Sequence, residues 1–192
     1  MAEVIAETER LRLRTWDDED EFRFYDVMNT PAVMRWLGGL QGREEWSAGY
    51  QRLRDYERDF GFTFWIVERR SDGEILGFCG LKRANAPGAM FQGEVEIGWR
   101  LREEAWGQGY AKEAAIASLD LAFDRFQAPR VIAITSRGNL ASQGLMIRLG
   151  MARREDLDFI DERFPAESDV NPQIAFVIEA ADWSAVRATA IV

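Results

Sequence analysis

The stretch EAWGQGYAKEAA, residues 104–115, places two glycines directly before a segment whose composition predicts a helix. The first N–H groups of a helix lack an intrahelical partner and carry a partial positive charge, and Ser, Asp or Asn usually stands there. Gly107 and Gly109 instead permit positive φ angles and remove Cβ atoms that would hold a ligand away. The turn therefore predicts a concave set of amides suited to a phosphate or diphosphate, with Lys112 adding a full charge. Further cationic candidates for that ligand are Arg102, Arg137 and Arg148.

The glycine pair alone has a second interpretation, because ordinary turns also use glycine. The segment is not a Walker phosphate loop, which requires Gly-Lys-Ser/Thr, since Lys112 is followed by Glu113. It also lacks the glycine triplet and the later acidic residue of a dinucleotide-binding fingerprint. The neighbouring sequence therefore has to decide between a structural turn and a ligand-binding turn.

The composition limits the classes of function. With 192 residues the chain is long enough for one domain with a substantial core and short for two. A formal charge of −9 argues against nucleic-acid binding, which needs a basic face, and favours the approach of a cationic acceptor. Histidine is absent, so no metal site is expected and any proton acceptor must be a carboxylate, a phenol, a thiol or water.

Other features of the sequence bear on location and partners. No apolar run of about eighteen residues predicts a membrane span, and the N-terminal segment lacks the basic and apolar order of a secretory signal. The single cysteine, Cys79, lies in the apolar run ILGFCGL and is expected to be a buried, unreactive thiol. We therefore expect a cytoplasmic protein, a monomer or a homodimer, without membrane or nucleic-acid partners.

Hydrophobic periodicity and turn residues predict a single α+β domain with a mixed, largely antiparallel sheet. We expect Asp17 or Asp18 to cap the first helix and Asp72-Gly73 to form a hairpin turn. One stripe of the second long helix holds Trp46, Tyr50, Leu53 and Tyr56. The predicted strands are 10–16, the two arms of 62–83, 93–101, 130–136, 152–159 and 173–179, and the predicted helices are 43–60, 109–126 and 139–150.

Four stretches together resemble the GNAT N-acetyltransferase superfamily, and within it the RimJ/RimL-type branch. WGQGYA, residues 106–111, is similar to the family's acetyl-CoA diphosphate loop, Gln/Arg-x-x-Gly-x-Gly/Ala, with Trp106 at the Gln/Arg position as is normal in that branch. The other three are ERLRLRTWDDED, EIGWRL and NLASQGLMIRLGM, in the family's order. The resemblance covers residues 9–151, which implies one GNAT domain over 1–192 with a core at about 8–180.

The resemblance implies a V-shaped central sheet flanked by helices, with acetyl-CoA as co-substrate and no metal. The backbone groups of Trp99 and Leu101 would pair with pantetheine amides, and Asn139 would also contact pantetheine. Ser142 would lie near the sulfur as a hydrogen-bond donor or acid, although Asn139 before an apolar helical run is equally typical of a helix N-cap. The residues implied to hold the diphosphate are Trp106, Gly107, Gln108, Gly109, Tyr110, Ala111 and Lys112.

Acetyl transfer to an amine needs a proton acceptor, and the strand entering the predicted cleft offers Glu94 and Glu96. Strand alternation sets both on one face, and a bulge near Gly98 would re-aim them. We place Glu96 ahead of Glu94, while a solvated or structurally paired glutamate is the alternative. Asp156 and Asp158 are further candidates, for recognising a cationic acceptor.

The sequence thus predicts an N-acetyltransferase that moves an acetyl group from acetyl-CoA to a primary amine by direct attack in a ternary complex. The acceptor is left open among a protein N-terminus, a polyamine and an aminoglycoside-like amine. Trp36 and Leu37 either wall the acceptor pocket or belong to the core. A non-catalytic acyl-CoA sensor is the alternative function, and an ATP-binding protein is a third hypothesis.

Overall fold

A computed structural model describes residues 2–190, with side chains for 2–188. In chain order its helices and strands are β1 (Val4–Glu7), β2 (Leu11–Arg14), α1 (Asp20–Met28), α2 (Pro31–Met34), α3 (Arg43–Phe60), β3 (Phe64–Arg69), β4 (Ile75–Arg83), β5 (Val95–Leu101), α4 (Tyr110–Asp120), β6 (Arg130–Ser136), α5 (Leu140–Arg148), β7 (Ala152–Phe159), β8 (Gln173–Glu179) and α6 (Ala180–Ala190). A short 3₁₀ turn, Glu103–Ala105, precedes the glycine turn, and a π-helical turn, Leu121–Arg125, follows α4.

The eight strands form a sheet in the order β1-β2-β3-β4-β5-β6-β8-β7. The β1–β2, β2–β3, β3–β4, β6–β8 and β7–β8 pairs are antiparallel, whereas β5 and β6 are parallel. The predicted α+β class with a mixed, mostly antiparallel sheet is confirmed. The V shape stays a prediction. Contacts group the chain into an N-terminal unit, residues 1–35, 39–82 and 98–117, and a C-terminal unit, residues 36–38, 83–97 and 118–192.

The N-terminal unit packs α1, α2 and α3 around an aromatic and thioether core. On α3, Trp46 and Tyr50 are buried and Leu53 packs against the core, whereas Tyr56 is outside this cluster. The core side chains of this cluster are Trp16, Phe24, Met28, Val33, Met34, Trp46, Tyr50, Ile66, Ile75 and Phe78. The apolar stripe predicted for α3 is therefore confirmed for its first three members.

The start of α1 differs from the prediction, because the helix begins at Asp20 with Glu19 as N-cap. Asp20 is almost fully buried, and both of its oxygens accept hydrogen bonds from Arg14, at 2.6 and 2.9 Å. A buried, bidentate pair of this kind fixes the chain entering α1. Asp17 and Asp18 lie before the helix and do not cap it.

The C-terminal unit has β8 between β6 and β7, with a nearly continuous buried pattern on β6 and β8. Its last helix, α6, and the first strand of the chain, β1, were not predicted from the sequence. Trp183 of α6 donates its indole N–H to Asp120 at 2.9 Å, and Arg187 binds the same carboxylate. These contacts with Asp120, which is distant in the sequence, anchor α6. The amphipathic pattern of the helix is weak, which explains why the sequence did not predict it.

Gly77 of β4 permits the backbone of β5 to approach closely. Its φ is +148°, and an added Cβ would lie 2.0 Å from the Arg100 carbonyl oxygen and 2.7 Å from the Leu101 Cα. We predict that Gly77→Ala lowers the free energy of unfolding by about 1–3 kcal/mol, because neither contact can be relieved by a flexible side chain. Urea denaturation measures the change.

The matched control is Gly49→Ala in α3, where the nearest atom to an added Cβ is a flexible Arg52 nitrogen at 3.5 Å. That change should raise stability by up to about 1 kcal/mol, because alanine favours helix over glycine. Equal effects of the two substitutions would show that the close approach at Gly77 is not a constraint.

Candidate active site

The glycine turn before α4 has the conformation that a phosphate-binding turn needs. Gly107 and Gly109 have φ angles of +72° and +81°, and an added Cβ at Gly107 would meet nothing within 4 Å. Glycine is therefore required here by backbone conformation more than by crowding. The first helical hydrogen bond runs from the Glu113 N–H to the Gly109 carbonyl, so the amides of residues 110–112 precede it. These amides lack an intrahelical acceptor and carry the positive end of the helix dipole.

Arg10 of the segment before β2 holds this turn in place, which the sequence did not indicate. Its Nη1 donates to the Gln108 carbonyl at 2.9 Å, and its Nε donates to Glu113 at 2.7 Å. Its guanidinium also lies 4.5 Å from the centre of the Tyr110 ring, which is buried. One side chain thus ties the turn, the start of α4 and the sheet together.

Glu113 is the partner of Arg10 in this contact, and we call the pair the Arg10–Glu113 clamp. Burial raises the pKa of its carboxyl, but hydrogen bonds from the Thr8 hydroxyl and from the Arg10 N–H and guanidinium outweigh burial, so the pKa is lowered overall. Arg10 and Glu113 are 103 residues apart in the sequence. No local sequence pattern could have predicted this pair, because the residues that flank Arg10 and Glu113 in the sequence do not distinguish them from other surface arginines and glutamates.

The cationic side chains around the turn differ in what they are free to bind. Lys112 is half-buried and makes no ion pair with any residue that the structure describes. Arg102, by contrast, binds Glu74 at 3.2 Å and Glu104 at 3.0 Å. Arg102 is therefore already paired with two carboxylates in this structure, and its expected role toward a phosphate stays a prediction.

Leu101, at the end of β5, directs its backbone away from β4. The next residue, Arg102, donates its N–H to the Leu76 carbonyl of β4, and bonding directions alternate along a strand. The Leu101 carbonyl accepts a hydrogen bond from the Trp106 indole N–H at 2.7 Å, while half of the Trp106 surface is exposed. The Trp106 side chain thus contacts the end of β5, whereas the sequence suggested a role for its backbone only.

Gly98 does not show the positive φ of a glycine that re-aims a strand. An added Cβ at Gly98 would lie 2.8 Å from Cζ of the Phe64 ring. Its glycine is explained by the close approach of this ring, and the bulge expected there stays a prediction. Trp99, the next residue, is half-buried.

The start of α5, in the C-terminal unit, presents two unoccupied polar groups. Asn139 caps the helix, with its Oδ1 accepting from the Ser142 N–H at 3.3 Å, so the N-cap prediction is confirmed. Neither the Asn139 Nδ2 nor the Ser142 hydroxyl bonds to a residue in the described part of the chain. Trp36 covers Gly138, whose added Cβ would lie 2.7 Å from the indole. Trp36 therefore lies beside these polar groups, and Leu37 is exposed.

Glu94 and Glu96 have different environments in the C-terminal unit. Glu94 binds Arg130 through both oxygens, at 2.5 and 2.6 Å, and is a structurally paired glutamate. Glu96 is only 5% exposed and lies opposite Ile132 in the parallel pair of β5 with β6. The pKa of Arg163 is raised, first by its hydrogen bonds to Asp161, and the charge of Glu96 contributes to that rise.

The two carboxylates considered for a cationic acceptor are already paired. Asp156 binds Arg154 at 2.7 Å, and Asp158 binds Arg153 at 2.5 Å and also accepts the Ala175 N–H. Arg137 lies 3.8 Å from Asp158. The interpretation of Asp156 and Asp158 as acceptor-binding residues therefore finds no support in this structure.

Within residues 2–190, no group of three or more acidic, cysteine or histidine side chains is arranged to hold a metal ion. Over the same residues, none of the helices has the length and apolar content needed to cross a bilayer.

Comparison with known proteins agrees with this geometry. Residues 10–152 match the family model described as an acetyltransferase (GNAT) domain. The chain is 35% identical over 148 residues to the uncharacterized protein YkkB of Bacillus subtilis (strain 168), covering 75% of this chain and 83% of that protein. Domains of this family use acetyl-CoA.

Solved structures share the fold. The acetyltransferase from Agrobacterium tumefaciens str. C58 superimposes with a TM-score of 0.73 at 25% identity, over 91% of this chain and 93% of that one. RimL, a ribosomal L7/L12 alpha-N-protein acetyltransferase, gives a TM-score of 0.73 at 15% identity, over 93% of this chain and 95% of RimL, a likeness of fold alone. The glycine turn and the sheet order agree with the family match. The chain therefore belongs to the GNAT acetyltransferase family and is an acyltransferase.

Proposed function

We propose that this protein transfers an acetyl group from acetyl-CoA to a primary amine, which attacks directly in a ternary complex. The single observation that carries the proposal is the turn at Gly107 and Gly109, with positive φ angles before α4 and an unpaired Lys112 one turn inside it. This combination of free amides, helix dipole and free cation is suited to a diphosphate. The donor's diphosphate therefore binds the amides of residues 107–112 and the Lys112 ammonium, whereas the Trp106 N–H, which was also expected to bind it, already donates to the Glu103 carbonyl at 3.0 Å.

The pantetheine arm of the donor takes the backbone groups of Trp99 and Leu101 and the side-chain amide of Asn139. Support comes from the direction of the Leu101 backbone, away from β4, and from the free Nδ2 of Asn139. The Trp106 indole already occupies one lone pair of the Leu101 carbonyl. A carbonyl oxygen has two lone pairs, so the second remains for the ligand.

The thioester supplies an activated acyl carbon, which an uncharged amine attacks. The new C–N bond forms as the C–S bond breaks, and the sulfur leaves as a thiolate that then takes a proton from water. Glu96 accepts the proton that the amine must lose, directly or through water, and Ser142 donates a hydrogen bond to the departing sulfur. The free Ser142 hydroxyl and the burial of Glu96 support these roles. Glu94 is not the base, because Arg130 holds both of its oxygens.

The family branch and the location of the protein are proposed from its sequence motifs and composition. Membership of the RimJ/RimL-type branch is proposed from Trp106 and from the three matching stretches, and the cytoplasmic location stays a prediction. Of the acceptors considered, a small amine or a protein N-terminus is retained. The paired Asp156 and Asp158 remove the reason to favour a polycation.

The donor site is tested with Gly109→Ala. A side chain at φ +81° is strained by about 1–2 kcal/mol, so the turn shifts and its amides lose their common focus. We predict that the Kd for CoA, measured by calorimetry, rises about tenfold or more. Gly61→Ala is the control, because Gly61 also has a positive φ, +73°, but ends α3. An added Cβ at Gly61 meets nothing within 4 Å, and one at Gly109 meets only the Arg10 Nη2, at 3.4 Å. It should cost stability and leave the Kd unchanged, and an equal rise in both variants would contradict the donor site.

The clamp on the turn is tested with Arg10→Gln. Without the guanidinium, the Gln108 carbonyl and the Glu113 carboxylate lose their shared partner, and the turn becomes mobile. We predict that KM for acetyl-CoA rises about tenfold with a smaller change in kcat. Arg12→Gln, two residues further along the chain in β2 and paired with Glu7 and Glu68, should leave KM unchanged. If Arg10→Gln and Arg12→Gln have the same KM for acetyl-CoA, the Arg10–Glu113 clamp does not support donor binding.

The transfer reaction is tested by mass spectrometry of products after incubation with acetyl-CoA and a mixed library of amines and peptides. We predict acetylated products, and a loss of about 10²-fold or more in kcat for Glu96→Gln, since a positioned base contributes 10²–10⁴-fold. Glu94→Gln is the control and should retain kcat. Undiminished transfer by Glu96→Gln would remove the assignment of the base. Binding of CoA without transfer to any amine would favour the non-catalytic sensor.

A further inference from the structure

Arg100 of β5 is an arginine without a counter-ion inside the N-terminal unit. Its Nη1 contacts the Met34 sulfur at 3.6 Å, and its guanidinium lies 5.0 Å from the centre of the Phe78 ring and 6.0 Å from that of Trp46. Among the residues that the structure describes, no carboxylate lies within ion-pair distance of it. Its surroundings are therefore two aromatic rings and a thioether.

This environment is costly for a charged group. The Arg100 Nε is enclosed and has no hydrogen-bond acceptor. Burial lowers the pKa of the guanidinium to about 10, so the side chain remains positively charged at pH 7. Cation–π contacts and a sulfur acceptor replace only part of the lost hydration. A nearly buried arginine in the same unit, Arg14, has two carboxylates, those of Asp20 and Glu68.

The vacant side of the guanidinium has a defined geometry. Nη1 is engaged by Met34, whereas Nε and Nη2, which form one edge of the planar group, have no partner within the described chain. Nη2 is not among the enclosed atoms, so a ligand approaches at that nitrogen. Two parallel N–H groups on one edge match the two oxygens of a carboxylate. A planar, singly charged carboxylate matches this edge in shape and in charge.

The position of Arg100 relates this edge to the proposed reaction. Arg100 lies between Trp99 and Leu101, whose backbones are proposed to hold the donor arm. Side chains of successive strand residues point to opposite faces, so Arg100 enters the core formed with Met34 and Trp46. A molecule bound to Arg100 thus lies beside the same strand segment as the donor arm.

We propose that the Nε–Nη2 edge of Arg100 binds the carboxylate of the acceptor, and that the acceptor is a small amine that carries a carboxylate, as an amino acid does. The inference rests on the proposed acetyl transfer and narrows its acceptor. Phe78, Trp46 and Met34 are buried core side chains around the guanidinium, so the contact assigned to the acceptor is the one with its carboxylate. The carboxylate supplies the counter-ion that the chain lacks.

The test compares L-phenylalanine, L-leucine and L-methionine with their carboxamides, which keep the amine and lose the charge. For the wild type we expect kcat/KM at least tenfold higher for one or more of the acids. In Arg100→Met this preference should fall about 10- to 100-fold, mainly through KM for the acid. Arg102→Met, which loses pairs with Glu74 and Glu104 only, is the control and should keep the preference.

Folding of the variant is measured separately. Arg100→Met removes a half-buried charge that has no carboxylate partner among the described residues, and it should keep or raise the midpoint of thermal unfolding. If Arg100→Met does not fold, Arg100→Lys replaces it, because lysine keeps the charge but loses the planar fork and should also lose the preference. Equal kcat/KM for acids and carboxamides in the wild type, or an unchanged preference in the variants, would overturn the inference.

A binding measurement separates this inference from the proposed function. N-acetyl-L-phenylalanine, N-acetyl-L-leucine and N-acetyl-L-methionine carry the carboxylate but no free amine, so calorimetry reports their binding without turnover. Binding that is lost in Arg100→Met, with no transfer to any amine, would uphold the anion site and reject the transferase. Transfer to the carboxamides alone would uphold the transferase and reject the anion site.

Discussion

The structure depends on one constraint: the first turn of α4 leaves its amide N–H groups unpaired, in a turn that only glycine adopts without strain. Gly107 and Gly109 set the backbone, and Arg10 fixes the turn by binding the Gln108 carbonyl and Glu113. In a purely structural turn, a Ser or Asp cap would accept hydrogen bonds from these N–H groups and stabilise the helix start. The unpaired donors are therefore the strongest indication of an anionic ligand.

Local charge and net charge lead to different conclusions about the acceptor. The net charge of −9 favours a cationic molecule, but it acts at long range and is screened by salt. Near the described site, many acidic side chains are paired, as Glu94 is with Arg130 and Asp158 is with Arg153. The guanidinium of Arg100 is half-buried and has no carboxylate partner among the described residues, so its interaction with a bound anion is stronger than the diffuse field. The local charge of Arg100 therefore decides the acceptor more strongly than the net charge of the protein does.

The predictable features were those encoded locally. The glycine turn, the N-cap at Asn139 and the Asp72-Gly73 hairpin depend on residues within a few positions, and the sequence predicted each of them. Contacts between distant residues were not predictable, because nothing near Arg10 or Arg100 in the sequence distinguishes it from a surface arginine. The first helix shows the same limit, since the buried pair with Arg14, not local capping preference, sets its start at Asp20.

The most direct measurement is a calorimetric comparison of CoA with pantetheine, which has the same thiol arm but no nucleotide diphosphate. If free amides around Gly107 and Gly109 bind the diphosphate, CoA should bind at least tenfold more tightly than pantetheine, and the difference should shrink as salt increases. Equal affinity for the two compounds, or no heat with CoA, would contradict a diphosphate site at this turn.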